Sequence, residues 1–371
     1  MAHPQLDRYL TLLAEREGGT DLHLKVGSSP RMRVKGTLES VGDEPSLDKA
    51  TLEAMAGAVL TAGAKETFLQ QREAECTYSV NGLGRFRVSA YLQRGSIALI
   101  LRRVTTSARS IDELGLPSTL AALASAERGL VLVAGPAASG VTTTLAAMVD
   151  HINHSRACHI VTVEDPVEVL HKDDMAAVSQ RQVGVDTLSV AQGIRSSLRQ
   201  DPDVVLVGRI DSHEVAQATM AATEAGCLVI AGVRAADVVE AIAAVVGFYP
   251  VAEQRHVRLA VAGALVGAAS IRLVPMKAGA GRVPAVEVLR VIPRVQAAIM
   301  GEETDELRSA MTRNGSIGMQ TLNQSLAALL EQQVIDERAA LAATPDWLGF
   351  RIALEQRGYI DASELEPQPP Q

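Results

Sequence analysis

The sequence predicts an α/β fold built on a parallel sheet and preceded by a smaller α+β domain, and three observations carry that prediction. Aromatic residues make up only 3% of the 371 residues, and Ala, Val and Leu dominate, which suits helices on parallel strands better than an aromatic-rich β sandwich. In the second part, short continuous apolar runs at 130–134, 160–163, 204–208 and 228–233 are separated by longer helical stretches, as expected for strands covered on both faces. The first part instead alternates apolar and polar residues, the pattern of half-buried strands.

Taken in order, Leu6, Leu10 and Leu13 recur at helical spacing and predict a helix near 7–17, followed by a strand at 21–26. Residues 32–38, 85–92 and 97–104 read as further strands, with a helix at 47–60 between them. These make a first domain, 1–104. Residues 105–117 are polar and end in Gly115 and Pro117, the mark of a linker. A second domain, 118–355, follows, with the strand signal fading after 251 and helices prevailing. The uncharged run 259–271 is 13 residues long, short of the roughly 18 a membrane span needs, and reads as a core helix. The tail, 356–371, is Pro-rich and predicts disorder.

A 47% hydrophobic content is enough for two buried cores. Net charge is -8. Residues 1–104 hold 14 Lys+Arg against 12 Asp+Glu, and the remainder holds 21 against 31. That acidic larger part argues against broad nucleic-acid binding. Cys76, Cys158 and Cys227 form no CxxC pair, so the expectation is small buried hydrophobes in a cytosolic protein rather than a zinc site or disulfide framework. The start has no basic segment followed by an apolar one, so no signal peptide is expected. His151, His154 and His159 lack carboxylate partners at ligand spacing and are assigned surface or capping roles, and Glu168 with His171 reads as a solvated pair.

Chemistry concentrates at residues 135–142, Gly-Pro-Ala-Ala-Ser-Gly-Val-Thr. Two glycines at this spacing are a weak signal alone, but an apolar strand leads into Gly135, and Thr142, Thr143 and Thr144 open a helix after Gly140. Backbone N–H groups in such a loop converge on an anion, and the helix N-terminus adds partial positive charge. Val141 stands where a lysine for the β- and γ-phosphates is expected. Three further segments, 162–168, 201–209 and 229–234, fall at the ends of the next strands, where ligands gather in open parallel sheets.

These segments, with Asp21-Leu22-His23-Leu24, Gly84-Arg85-Phe86-Arg87-Val88 and Gly318-Met319-Gln320-Thr321-Leu322, resemble the PilT-like type IV pilus retraction ATPase family of the type II/IV secretion ATPase superfamily, over nearly the whole chain. The resemblance implies a PAS-like first domain and a RecA-like P-loop second domain. It also implies a cytoplasmic hexamer, peripheral at the inner membrane, that takes ATP or ADP with Mg²⁺ in twitching motility. Expected partners are the inner-membrane pilus platform protein and, in a mixed ring, an intact homologue.

The departures fall on the chemistry. Ala137 and Ala138 replace Thr and Gly, Val141 replaces the lysine, Arg209 stands in the Walker B glutamate position with Asp211 in that of a basic residue, and Arg234 replaces a histidine that senses the γ-phosphate. Gly135, Ser139, Gly140, Thr142 (the magnesium hydroxyl), Thr143 and Glu164 (the general base) are kept, as are Asp165 and Glu168. Arg102, Arg195 and Arg199 match arginines that face phosphates or the neighbouring subunit, and Arg102 is expected to act in trans.

Losing a charge-assisted hydrogen bond of about 1.5–3 kcal/mol weakens nucleotide binding by one to two orders of magnitude. A cation at 209 repels Mg²⁺. The expectation is therefore a degenerate member with impaired or lost hydrolysis, serving as a structural or regulatory subunit, with Arg209 and Arg234 neutralising Glu164 and Asp165 in place of metal. The competing expectation is a slow ATPase powering retraction, with Arg209 as a displaced substitute for the lysine.

Overall fold

Leu6, Leu10 and Leu13 are all buried, with Tyr9, on the inner face of helix α1 (Pro4–Glu15). In the computed structural model, residues 3–81, 83–104, 108–277, 279 and 281–356 are described. Residues 105–107 of the expected linker and 357–371 of the expected tail lie outside the described residues. The chain divides into two units, Met1–Ser107 with Glu168–Leu170 and Ala108–Val167 with His171–Gln371.

In the first unit, α1 is followed by β1 (Gly19–Lys25), β2 (Arg31–Val34), β3 (Thr37–Ser40), α2 (Lys49–Val59), α3 (Ala62–Gln71), β4 (Glu73–Val80), β5 (Gly84–Gln93) and β6 (Ser96–Arg103). The strands form one antiparallel sheet in the order β3-β2-β1-β6-β5-β4. Leu22, Leu24, Met32, Val88, Leu99 and Leu101 alternate onto one face and are buried with α1 and α2. Asp48 caps α2 by accepting from Thr51 N–H at 2.7 Å.

The single strand expected at 32–38 is instead a hairpin. Lys35 and Gly36 both have positive φ, 47° and 89°, the requirement of a tight two-residue turn whose twist matches its flanking strands. Neither α3 nor β4 was expected from the sequence. α3 buries only Ala64, so it has no apolar stripe to read.

The second unit runs α4 (Thr119–Ala124), β7 (Gly129–Ala134), α5 (Val141–Ser155), β8 (His159–Glu164), β9 (Ala177–Gln182), α6 (Val190–Ser197), β10 (Val204–Ile210), α7 (His213–Glu224), β11 (Leu228–Val233), α8 (Val238–Gly247), α9 (Val251–Ala264), β12 (Leu265–Pro275) and β13 (Arg282–Arg290). Five helices close it: α10 (Pro293–Gly301), α11 (Thr304–Arg313), α12 (Leu322–Glu331), α13 (Glu337–Ala343) and α14 (Trp347–Gln356). The sheet order is β13-β12-β7-β11-β10-β8-β9, parallel except for the β12–β13 pair. The mixed α/β class is the expected one. Residues 108–117, assigned to a linker from the sequence, include Ile111 and Leu116, which are buried with Leu120 and Leu123.

The expected core helix at 259–271 is divided by the structure, α9 ending at Ala264 and β12 beginning at Leu265. Its second half pairs with β7, Ala268 opposite Leu132 and Ala269 opposite Val133. On its other side, Gly267 permits the close approach of β13, since a Cβ there would stand 2.7 Å from Leu289 O. Short apolar runs do not distinguish buried helix from buried strand by periodicity, and here the open edge of β7 decides. With β13, it adds two strands to the region after 251, where the sequence shows a fading strand signal and helices prevail as expected. Among the described residues, no helix is long and apolar enough to cross a membrane.

Candidate functional site

Strand β7 buries Leu130 to Ala134 and delivers the chain to Gly135 at the carboxyl edge of the sheet. A Cβ on Gly135 would meet Ser139 Oγ at 2.2 Å and Ile271 O at 2.8 Å, so the loop folds back closely over this position. Ser139 is 4% exposed, and its Oγ is buried with no hydrogen-bond partner among the described residues. Gly140, φ 102°, caps α5. The first-turn N–H groups of α5, those of Val141, Thr142 and Thr143, have no carbonyl of their own helix to meet. They form a cradle for an anion at the positive end of the helix. An orphaned hydroxyl inside a glycine-dependent loop beside that end fits a phosphate oxygen.

Two departures from an ideal loop are structural. Ala138 sits in the left-handed region, φ 62°, which costs an alanine roughly 1–2 kcal/mol relative to glycine. Val141 is half-buried against the core that contains Leu145 and Ile271. It carries no charge toward the cradle.

Three neighbouring strand ends complete the edge. Glu164, at the end of β8, is 8% exposed and accepts from Thr162 Oγ1 at 2.6 Å and from Gln180 Nε2 at 3.4 Å. Gly208 packs beside it, and a Cβ on Gly232 would stand 2.4 Å from Gly208 O. Backbones of β8, β10 and β11 are therefore pressed together where the ligand edge begins. The β10–β11 register is irregular between Val207 and Ile210, and Arg209 lies in that irregularity, where bulges re-aim side chains.

Arg209 Nε reaches Asp211 Oδ2 at 3.3 Å, both side chains being half exposed. This corrects the expectation that Arg209 neutralises Glu164 and Asp165: Asp211, just past the end of β10, takes the guanidinium instead. Arg234 is exposed and makes no hydrogen bond or ion pair with described residues, so the same correction applies to it. Gln180, on the polar edge strand β9, was not expected to contact Glu164. β9 is mostly polar and has the burial pattern of a half-exposed edge, so the sequence carries no clean strand signal there.

Residues outside this edge fall as follows. Arg102 lies in the first unit, where its Nε binds Asp21 Oδ1 at 2.6 Å, with Asp21 3% and Arg102 65% exposed by side chain. Burial would raise the Asp21 carboxyl, but hydrogen bonds from Thr20 and Arg102 hold it below the ordinary carboxylate range. His154 does have carboxylates nearby, Asp150 Oδ2 at 3.5 Å and Asp174 Oδ2 at 3.7 Å, contrary to expectation. His171 is pushed down to about 4 by burial, so it is no member of a solvated ion pair near neutral pH. Among the described residues, no cluster of three His, Cys, Asp or Glu is arranged for a metal. Cys76 and Cys227 are buried and Cys158 is partly so.

The model of the type II/IV secretion system protein family matches residues 73–277, more than half of the chain and all of the edge just described. The chain belongs to that family. Its relatives include the type IV pilus ATPase PilU of Pseudomonas aeruginosa, 34% identical over 97% of this chain and 94% of that protein. The type IV pilus retraction ATPase PilT of the same organism is 33% identical over 89% of this chain and 96% of its own length. Among solved structures, the pilus retraction motor PilT with bound ADP superposes with a TM-score of 0.85 at 33% identity, covering 93% of this chain and 98% of that one. The fold is thus that of the family's pilus motors, an N-terminal domain followed by a RecA-like ATPase domain.

Proposed function

We propose that this member of the type II/IV secretion system family holds a nucleotide with impaired or no turnover, and acts as a structural or regulatory subunit of a type IV pilus machinery. The pilus motors PilU and PilT among its relatives support the setting, and the ADP of the PilT structure supports the ligand. The observation that carries the reading is Val141, packed against the core at the mouth of a loop otherwise shaped for phosphate.

A bound ATP supplies its own β–γ phosphoanhydride, and what this chain adds is a cradle of N–H groups, the Ser139 hydroxyl and the carboxylate of Glu164. Glu164 takes the role of accepting a proton from water in this reading. Phosphoryl transfer also depends on neutralising charge on the transferring group with lysine and metal. Thr142 keeps the magnesium hydroxyl, but the next strand end presents the Arg209–Asp211 pair in place of a lone carboxylate. The residues present fit phosphate and do not fit Mg²⁺.

In this reading, 1–104 and 118–355 are the PAS-like and RecA-like domains, joined by 105–117. The protein is cytoplasmic and joins a ring of its own copies, or a mixed ring with an intact homologue, under the inner-membrane platform protein. Arg102, held by Asp21 with its terminal nitrogens free of that bond, is suited to serve a neighbour's site in trans. Nucleic acid is not a partner.

Phosphate release from purified full-length protein tests the reading. Release at the level of a Glu164→Gln control is expected. Release that Glu164→Gln abolishes supports instead the slow ATPase, which the buried and hydrogen-bonded Glu164 favours.

A further inference from the structure

We propose that the first unit takes an extended segment of a partner protein along its edge strand β3, and that this segment carries a lysine or arginine between apolar residues on one face.

Helix α1 and the β2–β3 hairpin border an open groove of about 400 Å³. Leu12 and Glu15 of α1 form one wall, and Met32 and Val34 of β2 with Glu39 of β3 form the other. Met32 belongs to the buried core of the unit, and Val34 packs against that core. Glu39 is paired with Met32 across the hairpin, so its side chain leaves the same face of the sheet, toward the groove. Strand β3 ends the sheet order, pairs with β2 alone among the described residues, and has all four of its residues exposed. An extended segment laid beside such a strand gains main-chain hydrogen bonds, and its alternate side chains turn into the adjoining groove. Leu12, itself exposed, gives them apolar contact together with Met32 and Val34.

Charge selects the occupant. Three carboxylates line the groove, those of Glu15, Glu39 and Glu44, against one guanidinium, that of Arg16. Glu44 is met by Arg8 and by the Tyr9 hydroxyl at 3.1 Å, whereas the side chains of Glu15 and Glu39 make no hydrogen bond or ion pair with described residues. A carboxylate on the inner face of an edge strand opposes pairing with an apolar strand. An opposite charge facing it across the two strands favours pairing instead. A second copy of this chain does not meet that need. Two-fold pairing of β3 with its own copy sets the two Glu39 carboxylates on one face at facing or diagonal positions, and like charges there oppose it. Residues 105–371 of a copy, with 21 Lys+Arg against 31 Asp+Glu, are acidic as well.

The test is fluorescence anisotropy of the full-length protein with two labelled peptides that alternate threonine and valine around one central residue, lysine in the first and glutamate in the second. The lysine peptide is expected to bind about 10-fold tighter, and Glu39→Lys to reverse the preference, a result that a misfolded variant does not give. Leu12→Asp, at an exposed position, is expected to weaken the lysine peptide by about 10-fold. Failure of the lysine peptide to bind, or failure of E39K to favour the glutamate peptide, overturns the proposal. A fall in the sedimenting mass of the peptide-free protein on L12D would show that a second copy fills the groove, and overturns it too.

Discussion

The loop after β7 and the ends of β10 and β11 border the same edge but differ in what they are made of. The loop works through backbone: N–H groups, close glycine contacts and a helix end, with Ser139 as its one buried hydroxyl. The strand ends work through side chains, and there the charges are Arg209, Asp211 and Arg234. A backbone cradle survives substitution because most side chains can occupy it. A metal site or a catalytic charge does not survive, because one residue type supplies it. The contrast separates holding a phosphate from transferring it, and each region predicts a different kind of variant.

The largest effect is expected from repairing the side-chain region. Val141→Lys alone leaves phosphate release at background, because the Arg209–Asp211 pair still presents no lone carboxylate to the metal, whereas V141K with Arg209→Glu raises release by about 10² or more. Measurable turnover in the single variant would refute the requirement for both changes. Gly135→Ala breaks the backbone region instead. Its Cβ meets Ile271 O at 2.8 Å, an atom that cannot swing aside, so nucleotide binding is expected to fall about 100-fold or to vanish. Near-wild-type titration of G135A would show that the cradle is not where the ligand sits.

A smaller effect is expected from Glu287 on β13, which holds the start of α8, just beyond Arg234, by accepting from Val238 N–H at 2.9 Å. Burial pushes its carboxyl up to about 7. The folded state therefore binds a proton that the unfolded chain releases near 4.5, so this group's stabilisation is full below the unfolded value and is lost as pH rises through about 7. Glu287→Gln should flatten the fall in melting temperature between pH 5 and pH 8, by about a few degrees. Parallel melting curves for the two proteins would contradict this. The smallest change is Ala138→Gly, which relieves a left-handed alanine and should raise the melting temperature by about 2–4 °C. A lower melting temperature would mean that the loop does not hold that conformation.

The central strands were legible because β7, β8, β10 and β11 are covered on both faces and so read as unbroken apolar runs. Strand β12 was not, because its Gly267, Ala268 and Ala269 suit a helix equally, and only pairing with β7 settles the matter. Edge strand β9 was hidden by its polarity, and with it the contact from Gln180 to Glu164. The site's residue types were readable in order along the chain. Their pairing was not: Arg209 lies in a β-irregularity that gives it to Asp211 rather than to Glu164. The position of Arg234 beside Gly135 emerges only from strand order, since nearly a hundred residues separate the two in sequence.

The most direct test of the central claim, a phosphate held by backbone without metal, is an equilibrium titration of the full-length protein with ATP in the presence and absence of Mg²⁺. Binding of similar strength in both conditions is the predicted result. Tight binding that appears only with Mg²⁺ would contradict it.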